Sequence, residues 1–339
     1  MARLTLTAGD TVVESVIERR DSIHPRTFIG PGQAEELGRL AKSLGAELII
    51  FNENLSPSQQ RNIEEATDVR VIDRTGVILE IFARHAESKE SVIQVDLAQS
   101  QYRLPRLRGK GIELSRMGGG IGTRRGPGEQ KLEIDKRRIQ ARISRLKKEL
   151  TGLKQVRQTQ SKRRKRAGTF EVCLVGYTNA GKSTILNKLT GADVLTADML
   201  FATLDSTTRK IDAPDFKNVV ISDTVGFIKN LPHELVAAFR STLDGVREAD
   251  LLLNVVDVSD SEWRSQVIAV EEVLKELEVS DKPVVTVFNQ IDKADPNEVA
   301  RLRREYTDAV FLSAITGEGM DGLLGLLRAR AARAASTQR

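Results

Sequence analysis

The sequence has one cysteine, few aromatic side chains and no long apolar run. Cys173 is the only cysteine among 339 residues, so no disulfide can form within the chain, as is usual in a reducing compartment. Aromatic residues make up 4% of the chain, and we therefore expect mostly aliphatic cores. No stretch approaches the roughly 18 apolar residues of a membrane span, and the first residues contain no signal-peptide core. We expect a cytoplasmic, monomeric protein of two or three domains.

Positive charge is concentrated in one segment. Residues 101–170 hold 22 of the 52 Lys and Arg residues but only 5 of the 47 Asp and Glu residues. The rest of the chain is acidic, with 30 basic against 42 acidic side chains. Such a segment attracts phosphate groups through Coulomb attraction and counterion release, although charge runs also occur on solvated helix surfaces. The charge pattern alone therefore leaves both nucleic-acid contact and a solvated helix face open.

Three regions of different pattern follow one another. Residues 1–84 alternate short strand-like and helix-like stretches and predict a small N-terminal α/β subdomain. Residues 85–168 predict a basic antiparallel helical pair with a glycine-rich tip loop and a linker. Residues 169–336 alternate strands and helices in the order of a doubly wound α/β domain. Its strands are predicted at residues 171–175, 219–223, 251–257, 284–289 and 310–312.

The middle region combines a coiled-coil seam with a basic, glycine-rich loop. The seam residues recur at spacings of four and three: Ile139, Ile143, Leu146, Leu150 and Leu153. Such a stripe needs a partner, and the apolar positions of residues 91–102 offer one. Residues 104–128 would form the tip of the pair; their mixture of glycine and arginine is typical of an RNA-contacting loop, and a flexible connector is the alternative. The predicted RNA-contacting side chains are Arg106, Arg108, Lys110, Arg116, Arg124 and Arg125.

A phosphate-binding loop follows the first strand of the third region. The run from 176 to 184 matches GxxxxGK[ST] between a strand and a helix, which is the context this motif requires. Backbone N–H groups of such a loop cradle phosphate oxygens. Lys182 reaches the β and γ phosphates, and the Ser183 hydroxyl is a ligand for Mg²⁺. The predicted nucleotide-binding residues of the loop are Gly176, Tyr177, Thr178, Asn179, Ala180, Gly181, Lys182, Ser183 and Thr184.

Two further segments predict nucleotide-sensing switches. Asp223 closes a strand and can hold Mg²⁺ through water, and the Gly226 N–H can contact the γ-phosphate. Thr203 is the predicted second Mg²⁺ ligand, while Thr207 and Thr208 are competitors that spacing does not exclude. The predicted catalytic residues are Lys182, Thr203 and Gly226. The predicted nucleotide contacts of the switches are Phe201, Ala202, Thr203, Leu204, Asp205, Asp223, Thr224, Val225 and Gly226.

The residues after the last two strands indicate a guanine site. Asn289, Gln290, Ile291 and Asp292 correspond to the NKxD element of GTPases. Asp292 would accept two hydrogen bonds from the guanine N1 and N2 donors, a pair that adenine lacks. Gln290 replaces the usual Lys, whose stem packs on the base, and we expect a reduced nucleotide affinity. A backbone N–H of the loop formed by Ser313, Ala314 and Ile315 would meet guanine O6.

On these motifs the chain resembles the HflX family of translation-factor-class GTPases over nearly its whole length. The resemblance is carried by residues 104–107, 118–128, 176–184, 201–205 and 223–227. It implies a GTPase that binds GTP and GDP with Mg²⁺ and that splits ribosomes, notably under heat stress. It also implies that the tip loop reaches ribosomal RNA of the large subunit near the peptidyl-transferase centre. The family commonly reads GTRGPGETQLE, whereas residues 122–133 here read GTRRGPGEQKLE.

Two residues of the nucleotide site bear on the mechanism. Phe227 follows Gly226, where Ras-like enzymes carry the glutamine that positions the attacking water. We therefore predict slow hydrolysis by the isolated chain and stimulation by the large subunit. Asn179 matches an asparagine that helps to bind K⁺ in some related GTPases, which makes K⁺ a candidate second cofactor. A local hydrogen bond within the loop is the alternative role for Asn179.

Ribosome splitting or rescue is the leading functional hypothesis, and two others remain. One is a GTPase timer for ribosome assembly, as in Obg-like relatives. The other is an RNA-binding scaffold with a regulatory nucleotide site, against which the intact Lys182, Ser183 and Asp223 argue.

Replacing Arg124 and Arg125 with alanine tests the assignment of the tip loop. Each phosphate contact contributes about one unit to the slope of log K against log salt concentration. We expect the double variant to bind large ribosomal subunits more weakly and with a slope that is lower by about two units. The control is the same double change at Arg303 and Arg304. An unchanged slope would refute the assignment.

Overall fold

The chain divides into two units, which are described separately. Unit 1 comprises Met1–Arg84 and Val92–Thr151, and unit 2 comprises His85–Ser91 and Gly152–Arg339. The computed structural model describes residues 1–19, 22–107, 127–192, 199–205, 207–213, 216, 218–229 and 243–337. Five of the six predicted RNA-contacting residues lie outside the described residues: Arg108, Lys110, Arg116, Arg124 and Arg125.

Unit 1 begins with the small α/β arrangement that the sequence predicts. Its two strands pair in parallel, with Leu48 opposite Arg70. Helix α3 begins with a capping box, since the Ser56 hydroxyl accepts from the Gln59 N–H and the Gln59 side chain accepts from the Ser56 N–H. The elements are α1 (Ala2–Thr7), α2 (Pro31–Ser43), β1 (Leu48–Ile50), α3 (Pro57–Thr67), β2 (Arg70–Ile72) and α4 (Arg74–His85).

Two long helices follow, α5 (Lys89–Arg106) and α6 (Pro127–Arg166). Within unit 1 the Arg142 guanidinium lies 2.7 Å from the Asp96 carboxylate, and within unit 2 Arg157 lies 3.0 Å from Glu90. The later residue of α6, Arg157, pairs with the earlier residue of α5, Glu90, so the two helices run antiparallel. The seam positions of α6 are partly buried, and Leu146 among them is 3% exposed.

A buried carboxylate joins α5 to the rest of unit 1. Asp73 is 1% exposed and accepts hydrogen bonds from the Leu55 and Gly76 amides, the Tyr102 hydroxyl and the Arg106 guanidinium. Burial, reinforced by the Asp73 charge, raises the pKa of the Tyr102 hydroxyl well above its usual value. The group therefore stays protonated and donates to the carboxylate at 2.8 Å.

Arg106, the one predicted RNA-contacting residue among the described residues, has several hydrogen-bond partners within unit 1. Its Nε donates to Gln60 at 2.7 Å, and its Nη1 donates to the Tyr102 carbonyl at 3.1 Å. Its Nη2 donates to Asp73 at 2.8 Å and to the Leu55 carbonyl at 3.0 Å. All three guanidinium nitrogens are thus engaged within unit 1, and the guanidinium also lies over the Tyr102 ring. In this structure Arg106 therefore holds the end of α5 within unit 1, and its contact with RNA stays a prediction.

Unit 2 contains a six-stranded mixed sheet, which confirms the predicted α/β fold. The strand order is β4-β5-β3-β6-β7-β8, and β4 alone among them is antiparallel to its neighbour. The exposed edge strand β4 escaped prediction because none of its three residues is apolar. The elements are β3 (Phe170–Gly176), α7 (Lys182–Thr190), β4 (Thr208–Lys210), β5 (Val219–Ser222), α8 (Asp244–Glu248), β6 (Leu251–Asp257), α9 (Trp263–Glu276), β7 (Val284–Asn289), α10 (Pro296–Glu305), β8 (Val310–Phe311) and α11 (Met320–Thr337).

The central strands of unit 2 are apolar on both faces. Val172, Leu174 and Leu253 pack on one side of the sheet, while Cys173 and Leu252 pack on the other. Helices cover both faces of such a sheet, so ligands bind at the carboxyl edge of its parallel strands. None of the described helices is long and apolar enough to cross a bilayer.

Removing the Asp73 carboxylate tests its role in unit 1. Asp73→Ala leaves the partly buried Arg106 charge without its partner, and we expect a loss of about 3–5 kcal/mol in unfolding free energy. Asp68→Asn is the control, because it removes only an exposed ion pair with Lys42, and asparagine tolerates the φ of 54° at this position. Urea denaturation followed by hydrogen-exchange mass spectrometry of unit 1 peptides measures both. Equal losses in the two variants would contradict the assignment.

Candidate nucleotide-binding site

Two glycines shape the phosphate-binding loop because no side chain fits at their positions. Gly176 ends β3 with a φ of 147°, and a Cβ there would collide with the carbonyl oxygen of Val255 on the neighbouring strand. Gly181 has a φ of 89°, and a Cβ there would collide with the Asn289 amide nitrogen. Both φ values lie where glycine alone is unstrained. The loop therefore turns tightly from β3 into α7 at the carboxyl edge of the sheet.

Lys182 places a buried positive charge in this loop. Its Nζ donates to the carbonyl oxygens of Gly176 at 3.2 Å and Tyr177 at 2.8 Å. Burial lowers the pKa of Lys182 to about 8, while the Asp223 charge acts in the opposite direction. A polyphosphate placed at the loop would supply negative charge where little water is present, so this ammonium favours an anionic ligand.

Three oxygen donors converge beside Lys182. The Ser183 hydroxyl lies 2.6 Å from the Asp223 carboxylate and 2.7 Å from the Thr203 hydroxyl. Burial raises the pKa of Asp223, although Lys182 and the Ser183 hydroxyl oppose that shift. Two hydroxyls and a carboxylate are hard oxygen donors of the kind that Mg²⁺ prefers. Phosphate oxygens and water would complete the octahedral coordination of the ion.

The three threonines that the sequence offers as the second Mg²⁺ ligand lie at different distances from the oxygen cluster. Thr203 reaches Ser183, as described above. The Thr207 carbonyl oxygen accepts a backbone hydrogen bond from Asp223 at 3.1 Å, and Thr208 lies exposed in β4. The structure therefore brings Thr203 to the oxygen cluster, in agreement with the preferred alternative from the sequence.

The second switch segment, residues 223–227, is hydrogen-bonded to the phosphate-binding loop. Thr178 donates its N–H to the Phe227 carbonyl at 2.8 Å, and Phe227 donates its N–H to the Gly176 carbonyl at 3.1 Å. Gly226 leaves no room for a side chain, since a Cβ there would lie 2.7 Å from Thr178 Cα and 3.0 Å from Lys182 Nζ. The backbone of Gly226 therefore faces the same space as the Lys182 ammonium.

The first switch segment contacts the start of α5. Asp205 accepts hydrogen bonds from the amides of Glu87 at 3.1 Å and Ser88 at 2.9 Å, and from the Ser88 hydroxyl. Burial would raise the pKa of Asp205, but these hydrogen bonds outweigh it and lower the pKa. The sequence predicts Asp205 as a nucleotide contact, whereas the structure engages its carboxylate at this helix start. Ser88 had no signal in the sequence, since it lies 117 residues from Asp205.

Asn289 joins the guanine element to the phosphate-binding loop. Its side-chain amide donates to the Ala180 carbonyl at 2.9 Å and accepts from the Ala314 N–H at 3.0 Å. The residue is 2% exposed, and these two hydrogen bonds fix the two loops relative to each other. The Ser313 N–H donates to the Glu318 carbonyl at 2.9 Å. The predicted contact to guanine O6 therefore rests on the Ile315 amide.

Gln290 and Asp292 lie at the end of β7. The Gln290 amide donates to the Asp257 carboxylate at 2.7 Å and accepts from the Lys293 ammonium at 2.8 Å. Its φ is 62°, in the left-handed region. Asp292 is exposed, as a base-reading carboxylate at a pocket mouth would be. Asp257 was not a candidate from the sequence, yet it holds the residue that replaces the usual lysine.

One cavity collects most of the predicted phosphate-side residues. Met199 also lines it, a residue that the motif analysis did not single out. The lining residues are Thr178, Asn179, Gly181, Lys182, Ser183, Thr184, Met199, Phe201, Ala202, Thr203, Thr224 and Gly226.

Comparison with protein families divides the chain into three matching segments. Residues 1–83 match a family model described as the N-terminal region of GTP-binding GTPases. Residues 85–164 match the middle region of GTP-binding GTPases. Residues 171–290 match the 50S ribosome-binding GTPase family. The third segment contains the phosphate-binding loop and ends within the guanine element.

Several curated relatives share most of this chain. GTPase HflX of Lacrimispora saccharolytica is 48% identical over 96% of the chain and 77% of the relative. GTPase HflX of Escherichia coli K12 is 43% identical over the same shares. The crystal structure of SsGBP in complex with GDP covers 99% of the chain and 94% of its own, at 26% identity and a TM-score of 0.51. With this identity over nearly the whole chain and a complete phosphate-binding loop, the chain belongs to the HflX family of GTPases and hydrolyses GTP.

Proposed function

We propose that the chain is a monomeric cytoplasmic GTPase that binds the large ribosomal subunit and dissociates or rescues ribosomes, notably under stress. The observation that carries the proposal is the positive surface of α6. Several of its exposed cations pair with no carboxylate in the part of the chain that the structure describes: Lys147, Lys148, Lys162, Arg163 and Lys165. Unpaired exposed cations along one helix favour a polyanion such as ribosomal RNA, because binding releases its counterions.

The comparisons support the same partner. The family model that matches residues 171–290 carries the description 50S ribosome-binding GTPase. The nucleotide site supports regulation of that binding, because Lys182, Ser183, Thr203 and Asp223 are gathered at one point. Phosphate, Mg²⁺ and the switch segments would therefore act on each other directly.

The contact of Asp205 with α5 supports a route from the nucleotide to the basic helices. Asp205 is two residues from Thr203, and two residues span at most about 7 Å. A shift of Thr203 toward Mg²⁺ would therefore move the carboxylate that holds Ser88 at the start of α5. GTP would thus favour the ribosome-bound arrangement of the basic helices, and hydrolysis would release it.

We further propose that the large subunit stimulates hydrolysis. The Phe227 side chain is 1% exposed and packs among the apolar residues Cys173, Val175 and Leu243. It therefore cannot orient the attacking water, and hydrolysis by the chain alone would be slow.

Sucrose gradients of intact ribosomes separate the functional alternatives. We expect the chain with a non-hydrolysable GTP analogue to convert intact ribosomes into free subunits and to sediment with the large one. Intact ribosomes that persist, with the chain bound only to free large subunits, would favour the role in assembly. RNA binding that is equal with GDP, with the analogue and without nucleotide would favour the scaffold.

An Asp205→Asn variant tests the proposed route in the same experiment. At saturating analogue we expect it to dissociate fewer ribosomes, because the neutral amide weakens the hydrogen bonds from Glu87 and Ser88. Asp308→Asn, at an exposed position of the same unit, is the control. Equal dissociation by the two variants would contradict the route and leave ribosome binding itself unaffected.

We also propose that Asn179 contributes to a K⁺ site. Asn179 lines the cavity and has a φ of 65°. A monovalent cation there would stabilise charge that develops between the β and γ phosphates. Hydrolysis is then expected to be faster in KCl than in NaCl at equal ionic strength, and equal rates would leave Asn179 with a local role in the loop.

A further inference from the structure

Among the residues that the structure describes, no glutamine follows the switch glycine to orient the attacking water. In Ras-like enzymes a glutamine at that position does so. Here the position holds Phe227, whose ring is in the core and whose backbone N–H and carbonyl are both used by the phosphate-binding loop. Hydrolysis requires a water held in line with the γ-phosphorus. A polar side chain of this chain beside Gly226 is therefore a candidate for that role.

Thr178 carries an unused polar group at this place. The residue is 6% exposed, and its Oγ1 is buried without a hydrogen-bond partner among the described residues. A buried hydroxyl without a partner costs about 1–3 kcal/mol, so such groups are rare unless a ligand or water completes them. The backbone of Thr178 is fixed by its hydrogen bond to Phe227, which keeps the side chain in place.

Thr178 adjoins the end of the cavity where the γ-phosphate belongs. It lines the cavity with Lys182 and Gly226. A Cβ built on Gly226 would lie 2.7 Å from both Thr178 Cα and Thr178 Cγ2, and 3.0 Å from Lys182 Nζ. The Cα and Cγ2 atoms of Thr178, the Lys182 ammonium and the Gly226 backbone thus surround one point, and the Thr178 hydroxyl is bonded to the same Cβ as Cγ2. Since a phosphate-loop lysine reaches the β and γ phosphates, that point lies at the reacting end of GTP.

We propose that Thr178 is a catalytic residue whose hydroxyl orients the attacking water. A hydroxyl has one donor and two acceptor positions, so Oγ1 can accept from the water while its own hydrogen is donated to a γ-phosphate oxygen. The water oxygen forms a bond to the γ-phosphorus, and the bond from phosphorus to the β–γ bridging oxygen breaks. GDP leaves with that electron pair, and the water's proton passes to the released phosphate. Thr178 is unchanged at the end.

The alternative is that Thr178 serves packing only, through the contact of Cγ2 with Gly226. The catalytic role needs the hydroxyl of Thr178, and the packing role needs its methyl group. Thr178→Val keeps the shape and the methyl contact but removes the hydroxyl, whereas Thr178→Ser keeps the hydroxyl and removes the methyl group.

Single-turnover GTP hydrolysis by the full chain, with and without large ribosomal subunits, tests the proposal. We expect Thr178→Val to lose about 100-fold in the rate constant, the size of effect seen when one transition-state hydrogen bond is removed. Thr178→Ser is expected to keep most of the rate. Thr190→Val, whose hydroxyl bonds within α7 far along that helix, is the control for removing a threonine hydroxyl.

Nucleotide affinities separate catalysis from structure. We expect Thr178→Val to bind GDP like the unmodified chain but to lose the gain in affinity on adding aluminium fluoride, which mimics the transferring phosphoryl group. A wild-type rate in Thr178→Val, or equal losses in the Val and Ser variants, would overturn the proposal. If the Val variant fails to bind GDP, Thr178→Ala replaces it, and hydrolysis by Ala as fast as by Ser would overturn the proposal as well.

Discussion

Two opposite charges, Lys182 and Asp223, are buried together at the carboxyl edge of the sheet, and the rest of the nucleotide site is built around them. Burial disfavours the charged form of each, while their mutual attraction favours it. Magnesium beside Asp223 and phosphate beside Lys182 would each compensate one of these charges. The Ser183 hydroxyl lies within hydrogen-bond distance of the Asp223 carboxylate and of the Thr203 hydroxyl, which places two further oxygen donors beside the acidic member of the pair.

The contact between Asp205 and the start of α5 lies two residues from the oxygen cluster beside this charge pair. Thr203 belongs to the oxygen cluster, and Asp205 belongs to the cap of a helix that leads toward the basic tip segment. A short, buried stretch of chain that includes Leu204 connects them. In the proposed route, a change at Thr203 would reach the start of α5 through this stretch.

Contacts in unit 1 show that the number of basic residues in a segment does not predict how many of their charges are exposed. Arg106 belongs to the basic segment by sequence, yet its guanidinium completes the buried cluster around Asp73. Lys147 and Lys148 on α6, which the motif analysis did not select, remain exposed. The exposed cations of α6 are thus partly different from the set of cations that the glycine-rich motif suggests, and the buried Asp73 carboxylate pairs with one of that set.

The sequence by itself determined five of the six strands of the unit 2 sheet, with β4 as the exception, and the position of the phosphate-binding loop between a strand and a helix. These are local patterns: an apolar run of strand length, glycines at required turns, and polar residues directly after strands. Only the tertiary structure decided which threonine meets Ser183, what Asn289 holds, and where the charges of Arg106 and Asp205 go. Those outcomes depend on partners far apart in the chain, such as Ser88 and Asp205, which no local pattern relates because folding alone brings them together.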